Sequence, residues 1–309
     1  MHLLSWFAKF LPLRWFENKY LTRATATAAT QPFFIQGHRG ARGLLPENTL
    51  PGFIYALQAG VNWLELDVVI SADKEVVVSH EAWMAYHFSS HPDGRRVTPR
   101  ESKRLNLYKM TYQQISQFDV GQRGHLDFSH QKPYPARKPL LRQVLATCDA
   151  WCLQNNRPLP HYNIEIKSSP ATEGKYHPPP TEFARLVAQI IAQSEAAPRC
   201  LVQSFDFSVL IALNKINPHQ RLGLLFTYPQ KLWKTLTQLP FKPYSVAIYY
   251  PFIVKTMVQN LQKRAILCFA WTVNNPRTAK HLRQMGVNSL ITDYPDKIQE
   301  ACHLIKHNK

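Results

Sequence analysis

Acidic residues are scarce in this chain: 20 aspartates and glutamates stand against 37 lysines and arginines, for a formal charge of +17. A field of that sign favours anionic partners, whether phosphoesters, nucleic acid or an acidic membrane surface. The basic residues are scattered in small groups, such as Lys132, Arg137 and Lys138 or Lys306 and Lys309, and no nucleic-acid-binding motif organises them. No nucleic acid partner is therefore expected. Long apolar runs are missing too. The richest stretch, residues 3–16, is interrupted by Lys9, Pro12 and Arg14. It falls short of the roughly 20 apolar residues a membrane span needs and lacks the unbroken apolar centre of a cleavable signal, with Ala24-Thr25-Ala26 only a marginal cleavage site. Cysteines number five and have no zinc-like spacing. Cys148 and Cys152, four apart, fall on one face of an expected helix as reduced thiols. This points to a cytoplasmic protein, although disulfide-free enzymes are also exported.

What is present is the composition of an ordered globular protein, 45% hydrophobic and 12% aromatic with 18% charged, and no low-complexity segment. Residues 1–30 form an aromatic and basic segment. Trp6, Phe7, Phe10, Trp15 and Phe16 with Lys9, Arg14 and Lys19 suit either peripheral contact of residues 1–20 with an anionic membrane or a helix packed on the main domain. Residues 31–309 read as one domain, a length at which α/β barrels need not split.

Within that domain, short runs rich in Val, Ile and Leu alternate with helical patterns, the signature of βα units and a parallel sheet. Nine strands are expected, at residues 33–37, 63–70, 75–80, 162–167, 200–204, 221–227, 246–250, 266–272 and 289–292. Helices are expected at residues 48–59, stopped by Gly60; at 181–193; and from the cap Asn275 with Pro276 to Gly286. Asp73-Lys74 is only a turn, so the second and third strands are joined without a helix, and one of nine is surplus to an eight-stranded barrel. Residues 82–160, polar and rich in Tyr, Gln, His, Arg and Pro, exceed any usual connection. They read as an insertion between the third and fourth strands, lying over the barrel mouth where it would shape the substrate pocket.

Active sites of α/β barrels lie at the carboxyl ends of the strands. Here the first strand ends in His38-Arg39-Gly40, the second carries Glu65 and Asp67, the third ends in His80-Glu81, and the fourth gives Glu165 and Lys167. Strand alternation puts Glu65 with Asp67, and Glu165 with Lys167, on one face. Any one of these acids alone would more often be a salt-bridged surface residue. Three converging at strand ends would keep a proton unless a hard divalent cation, Mg²⁺ or Ca²⁺, lay among them. Arg39 and Lys167 beside such an ion suit a phosphodiester. The unperturbed pKa of histidine, about 6.5, suits two such residues to act as acid and base near neutral pH.

At these residues the chain resembles the glycerophosphodiester phosphodiesterase family, whose members carry H-R-G, E-N-T, E-x-D, a second His and E-x-K in that order. The corresponding residues here are His38-Arg39-Gly40, Glu47-Asn48-Thr49, Glu65 with Asp67, His80, and Glu165 with Lys167. Gln203-Ser204-Phe205, Trp271-Thr272-Val273-Asn274 and Ile291-Thr292-Asp293-Tyr294-Pro295 also look like the family, so the likeness spans residues 33–298. The resemblance implies a TIM-type (β/α)8 barrel and one divalent cation, Mg²⁺ or Ca²⁺, on Glu65, Asp67 and Glu165. It implies His38 and His80 as acid and base, and phosphate contacts from Arg39 and Lys167. Glu47 matches an acid near the metal, and on its sequence alone it could equally orient the loop or cap the next helix. Glu81 stands where the family commonly has Asp, a departure that touches substrate detail.

The implied reaction is metal-dependent hydrolysis of a small glycerophosphodiester to sn-glycerol 3-phosphate and an alcohol. One rival is a related barrel enzyme of the phosphatidylinositol phospholipase C or sphingomyelinase D kind acting on intact lipid or lysolipid. The aromatic amino terminus favours it, and the E-N-T and E-x-K matches speak against it. Another is a non-catalytic binder of anionic polymers, against which stands the filling of every expected catalytic position.

Overall fold

The computed structural model describes residues 32–303. The expected membrane contact of residues 1–20 lies outside them. Nine strands follow in order: β1 (Phe34–Gly37), β2 (Trp63–Ile70), β3 (Val76–Val78), β4 (His161–Ile166), β5 (Cys200–Ser204), β6 (Arg221–Phe226), β7 (Ser245–Tyr249), β8 (Leu267–Trp271) and β9 (Ser289–Thr292). Among the described residues ten α-helices accompany them: α1 (Leu50–Gln58), the short α2 (Pro99–Ser102) and α3 (Tyr112–Ile115), α4 (Leu141–Gln154), α5 (Pro180–Ala192), α6 (Phe207–Ile216), α7 (Leu232–Gln238), α8 (Lys255–Lys263), α9 (Pro276–Gln284) and α10 (Pro295–His303).

Eight strands close into a parallel barrel in the order β1, β2, β4, β5, β6, β7, β8, β9, with β1 pairing both β2 and β9. The expected TIM-type barrel is therefore present. The surplus strand is β3, which runs antiparallel to β2 with Val78 opposite Val68 and Val76 opposite Ile70. The Asp73-Lys74 turn that joins them needs a left-handed residue, and Lys74 has φ +63°. The hairpin sends the chain back along β2, so the residues after β3 arrive beside Asp67: Ser79 N–H donates to the Asp67 carbonyl at 2.9 Å. The third expected strand is thus not a barrel stave. Residues 82–160 enter between the second and third barrel strands, β2 and β4.

Alternation sorts the side chains of β2 as the pattern requires. Trp63 joins Leu201, Leu225, Ala247 and Phe269 inside the barrel, while Leu64, Leu66 and Val68 pack outward against the helices. Above Trp63, a polar layer crosses the barrel, with Asn163 Nδ2 donating to Gln36 Oε1 at 2.8 Å and Gln36 Nε2 to Ser289 Oγ at 2.9 Å. The helices begin where their caps allow. Thr49, not Asn48, caps α1 by accepting from Gly52 N–H, so this helix opens two residues later than expected. Asn275 caps α9 as expected, accepting from Arg277 and Thr278 N–H. Cys148 and Cys152 are buried free thiols on one face of α4. The insertion has its own small core, in which Met84, Val97, Leu107, Ile115, Phe118 and Leu140 pack on Val69 and Val77 of the hairpin.

Candidate active site

The H-R-G segment turns sharply at the end of β1. Arg39 has φ +50° and Gly40 φ +87°; a Cβ on Gly40 would stand 2.6 Å from the backbone carbon of Gly52, so only glycine lets the loop cross the start of α1 here. The turn aims the Arg39 N–H at Glu65 Oε2, 3.1 Å away, and its guanidinium at Glu47 Oε1 (2.9 Å) and Asp67 Oδ2 (3.2 Å). On the opposite side Lys167 Nζ reaches Glu165 Oε1 at 2.6 Å and Asp67 Oδ1 at 3.8 Å. Glu65, Asp67 and Glu165, all buried, each bring a carboxylate oxygen to within 4.8 Å of the others. The expected convergence is observed.

Both histidines are held from behind by a carboxylate. His38 Nδ1 donates to Asp293 Oδ1 at 2.6 Å and turns its Nε2 towards Glu65 Oε2, 3.9 Å away. Asp293 is itself fixed by Asn274 Nδ2 at 2.6 Å. His80 Nδ1 donates to Glu81 Oε1 at 2.8 Å, so the longer side chain that replaces the family's usual Asp folds back onto the neighbouring ring.

Electrostatics divide the acids. Burial, and then the adjacent Asp67 and Glu165 charges, push the Glu65 carboxyl well above its usual range. Burial works in the same direction on Asp67, but Arg39, with His80 and Lys167, holds it far below. Burial also lowers His38, against the pull of Asp293. The donor set tests whether a metal fits: three buried carboxylates, all oxygen, with burial and mutual repulsion pushing the Glu65 carboxyl up for want of positive charge. Such a donor set suits a hard divalent cation.

Glu47 does not join the carboxylate triad. Its oxygens pair with Arg39 and, at 2.5 Å, with Arg42 Nε, so of its open readings the loop-orienting one matches the structure and the helix-capping one does not. Four contributors escaped the sequence reading. Asp293 and Asn274 lie in segments noted only as family-like, and Asn48, in the E-N-T motif, clasps Asp67 by donating Nδ2 to Oδ2 at 2.9 Å and accepting from its N–H at 3.3 Å. Lys138 is 4% exposed and donates to Ser79 Oγ at 2.7 Å. Burial lowers its pKa, and among the charges that oppose this Glu81 comes first.

A closed βα barrel whose strand ends gather acids and carboxylate-backed histidines places the protein among the α/β-barrel hydrolases. The sequence model of the glycerophosphoryl diester phosphodiesterase family matches residues 38–297, and the chain belongs to that family of phosphoric diester hydrolases. It is 28% identical over 271 residues to a glycerophosphodiester phosphodiesterase of Bacillus altitudinis, covering 85% of this chain and 95% of that protein. It is 25% identical to the human lysophospholipase D GDPD1, covering 86% and 85%. Among solved structures, one from Silicibacter pomeroyi assigned to the same family shares 27% identity with a TM-score of 0.79, covering 90% and 95%. An Oleispira antarctica phosphodiesterase bound to the product sn-glycerol-3-phosphate has the same fold, with a TM-score of 0.70 at 22% identity, covering 89% and 98%.

Proposed function

We propose that the protein hydrolyses small glycerophosphodiesters to sn-glycerol 3-phosphate and an alcohol, with His38 and His80 as proton carriers and a divalent cation on Glu65, Asp67 and Glu165. The observation that carries this reading is the meeting of those three carboxylates with two histidines that each present Nδ1 to a carboxylate. A ring whose Nδ1–H is engaged by a carboxylate has its Nε2 free to accept or deliver a proton. His38, whose burial favours the neutral ring and whose Nε2 is directed at the carboxylates, fits the base that takes the proton of the nucleophile. His80 fits the acid that protonates the departing alkoxide. Arg39 and Lys167, each between carboxylates at the mouth, contact the phosphate oxygens and offset the charge that grows on them in the transition state. When bound, Mg²⁺ or Ca²⁺ supplies Lewis-acid stabilisation of that same charge. Glu47 keeps Arg39 in place, and Glu81 keeps His80.

The deciding experiment follows release of sn-glycerol 3-phosphate from glycerophosphocholine and glycerophosphoethanolamine, with lysophosphatidylcholine alongside. Chelator-treated protein is supplied with Mg²⁺ or Ca²⁺, beside His38→Ala and Glu65→Ala. Metal-dependent turnover of the water-soluble diesters, lost in both variants, is expected. Turnover of lysophosphatidylcholine alone would replace the small substrate with a lipid, and turnover that survives His38→Ala would remove the proposed base.

A further inference from the structure

From Phe207 to Thr292 the chain contains eleven lysines and arginines and no aspartate or glutamate. These residues build β6, β7, β8 and β9 with α6 to α9, so this stretch of the barrel wall has no acid, while Glu65, Asp67 and Glu165 stand on β2 and β4. At the mouth end of this side the residues just past the strands are apolar and solvent-exposed: Phe205 (42%) after β5, Tyr228 (61%) after β6, and Phe252 (36%) and Val254 (52%) after β7. Their rings form one connected run. Phe205 meets Trp271 at 5.7 Å between centroids, Trp271 meets Tyr249 at 5.4 Å, Tyr249 meets Phe252 at 6.0 Å and Phe252 meets Tyr228 at 5.1 Å. Exposed cations border the run where the next helices begin, at Lys231, Lys234, Lys255 and Arg277.

Exposed apolar surface of this extent, rimmed by charge of one sign, marks a contact surface. We propose that the β5–β8 side of the barrel mouth docks on an anionic lipid bilayer, its rings entering the interfacial layer and its lysines facing the headgroups. Aromatic rings settle at the headgroup level of a membrane, and each nearby lysine adds attraction to acidic lipid. A quaternary ammonium ligand fits less well, since the carboxylates that flank the run, Asp206 and Asp293, are already hydrogen-bonded, to Ser168 and Ser208 and to His38 and Asn274. Nucleic acid fits less well too: the rings meet one another edge to face or tilted, not as a row of parallel faces, and exposed Val254, two residues past Phe252, has no face on which a base could stack. The surface is continuous with the carboxylate site, because Gln203, two residues before Phe205 on β5, donates Nε2 to Glu65 Oε1 at 3.4 Å. This inference does not rest on the catalytic reading, since binding to vesicles is scored without turnover.

The test is sedimentation of the full chain with vesicles of phosphatidylcholine alone and of phosphatidylcholine mixed with phosphatidylglycerol, at low and high salt. It compares wild type with Tyr228→Ser/Phe252→Ser and with Lys231→Glu/Lys255→Glu. Wild type is expected on the mixed vesicles, released by salt, and only weakly on the neutral ones. Each lysine is worth about fivefold in partition, so the charge-reversed variant should bind at least tenfold less, and the ring variant should also lose binding. All three should cleave a water-soluble diester alike, which shows that the variants are folded. Binding to mixed vesicles that neither variant weakens would place the contact elsewhere and overturn the proposal. Failure of wild type to bind any vesicle, with or without retention on single-stranded RNA, would do the same.

Discussion

Nδ1 of His38 and Oδ1 of Asp293 lie 2.6 Å apart although 255 positions separate them, so the first and last barrel strands together build one histidine–carboxylate pair. The carboxylate fixes which ring nitrogen carries the hydrogen. Asp293→Ala should therefore lower kcat by roughly 10²–10⁴-fold, the range of a general acid or base, with a much smaller change in KM. Asp293→Asn should not rescue it, since an amide can turn its NH₂ to the ring and stabilise the wrong tautomer. The double variant with His38→Ala should be no slower than His38→Ala alone. Steady-state kinetics of the four proteins decides this, and additive losses would mean that Asp293 acts on something other than His38.

The same pair gives stability an acid limit. Burial pushes the Asp293 carboxyl up, but His38 and Asn274 more than offset this and hold it at about 2, against an ordinary 3.8. A carboxyl depressed in the folded state contributes stability above its unfolded pKa and loses it as pH falls through the folded one. Between pH 4 and pH 2 wild type should lose about 2 kcal/mol on this account. Asp293→Asn should show a correspondingly shallower fall in urea denaturation across that window, and identical slopes would count against the assignment.

Much of this was legible in the sequence, because strand alternation and strand-end position are local facts. All nine strands lie where the apolar runs put them, and the acids predicted to share a face do so in Glu65, Asp67 and Glu165. What could not be read depends on long-range return of the chain. The antiparallel sense of β3 follows from the Lys74 turn, yet periodicity is the same for either direction. Lys138 stands in a polar, basic stretch that composition assigns to the surface, and its burial arises only because the segment after it pairs with the hairpin, Val78 N–H donating to the Pro139 carbonyl at 2.8 Å. Asp293 is one acid in a family-like segment, and its role appears only when β9 closes against β1.

Lys138 should matter to activity through His80. Its ammonium donates to Ser79 Oγ, whose own hydroxyl donates to the Glu81 carbonyl at 2.6 Å, and its charge stabilises the Glu81 carboxylate that holds the His80 ring. Lys138→Met keeps the length and removes the charge. It should cost about 2 kcal/mol of stability, typical for a lost hydrogen bond to a charged group, and should reduce kcat. In a Glu81→Gln background the further loss in kcat should shrink. An undiminished loss there would show that Lys138 does not act through Glu81.

Asn48 provides the sharpest test of the cation site, because it touches one proposed ligand, Asp67, and nothing of the histidines. Its amide both donates to the Asp67 carboxylate and accepts from the Asp67 N–H, while its backbone sits at φ +54°. Partners of this kind orient metal-binding carboxylates, and their loss typically weakens metal affinity 10–100-fold. Asn48→Gly removes the clasp without backbone strain, whereas Asn48→Ala removes it and adds about 1 kcal/mol of left-handed strain. Calorimetric titration with Mg²⁺ and Ca²⁺ should therefore show the same weakened affinity in both variants, with only Asn48→Ala losing additional thermal stability. Wild-type affinity in Asn48→Gly would mean that Asp67 needs no such holding, and that the triad is organised by Arg39 and Lys167 alone.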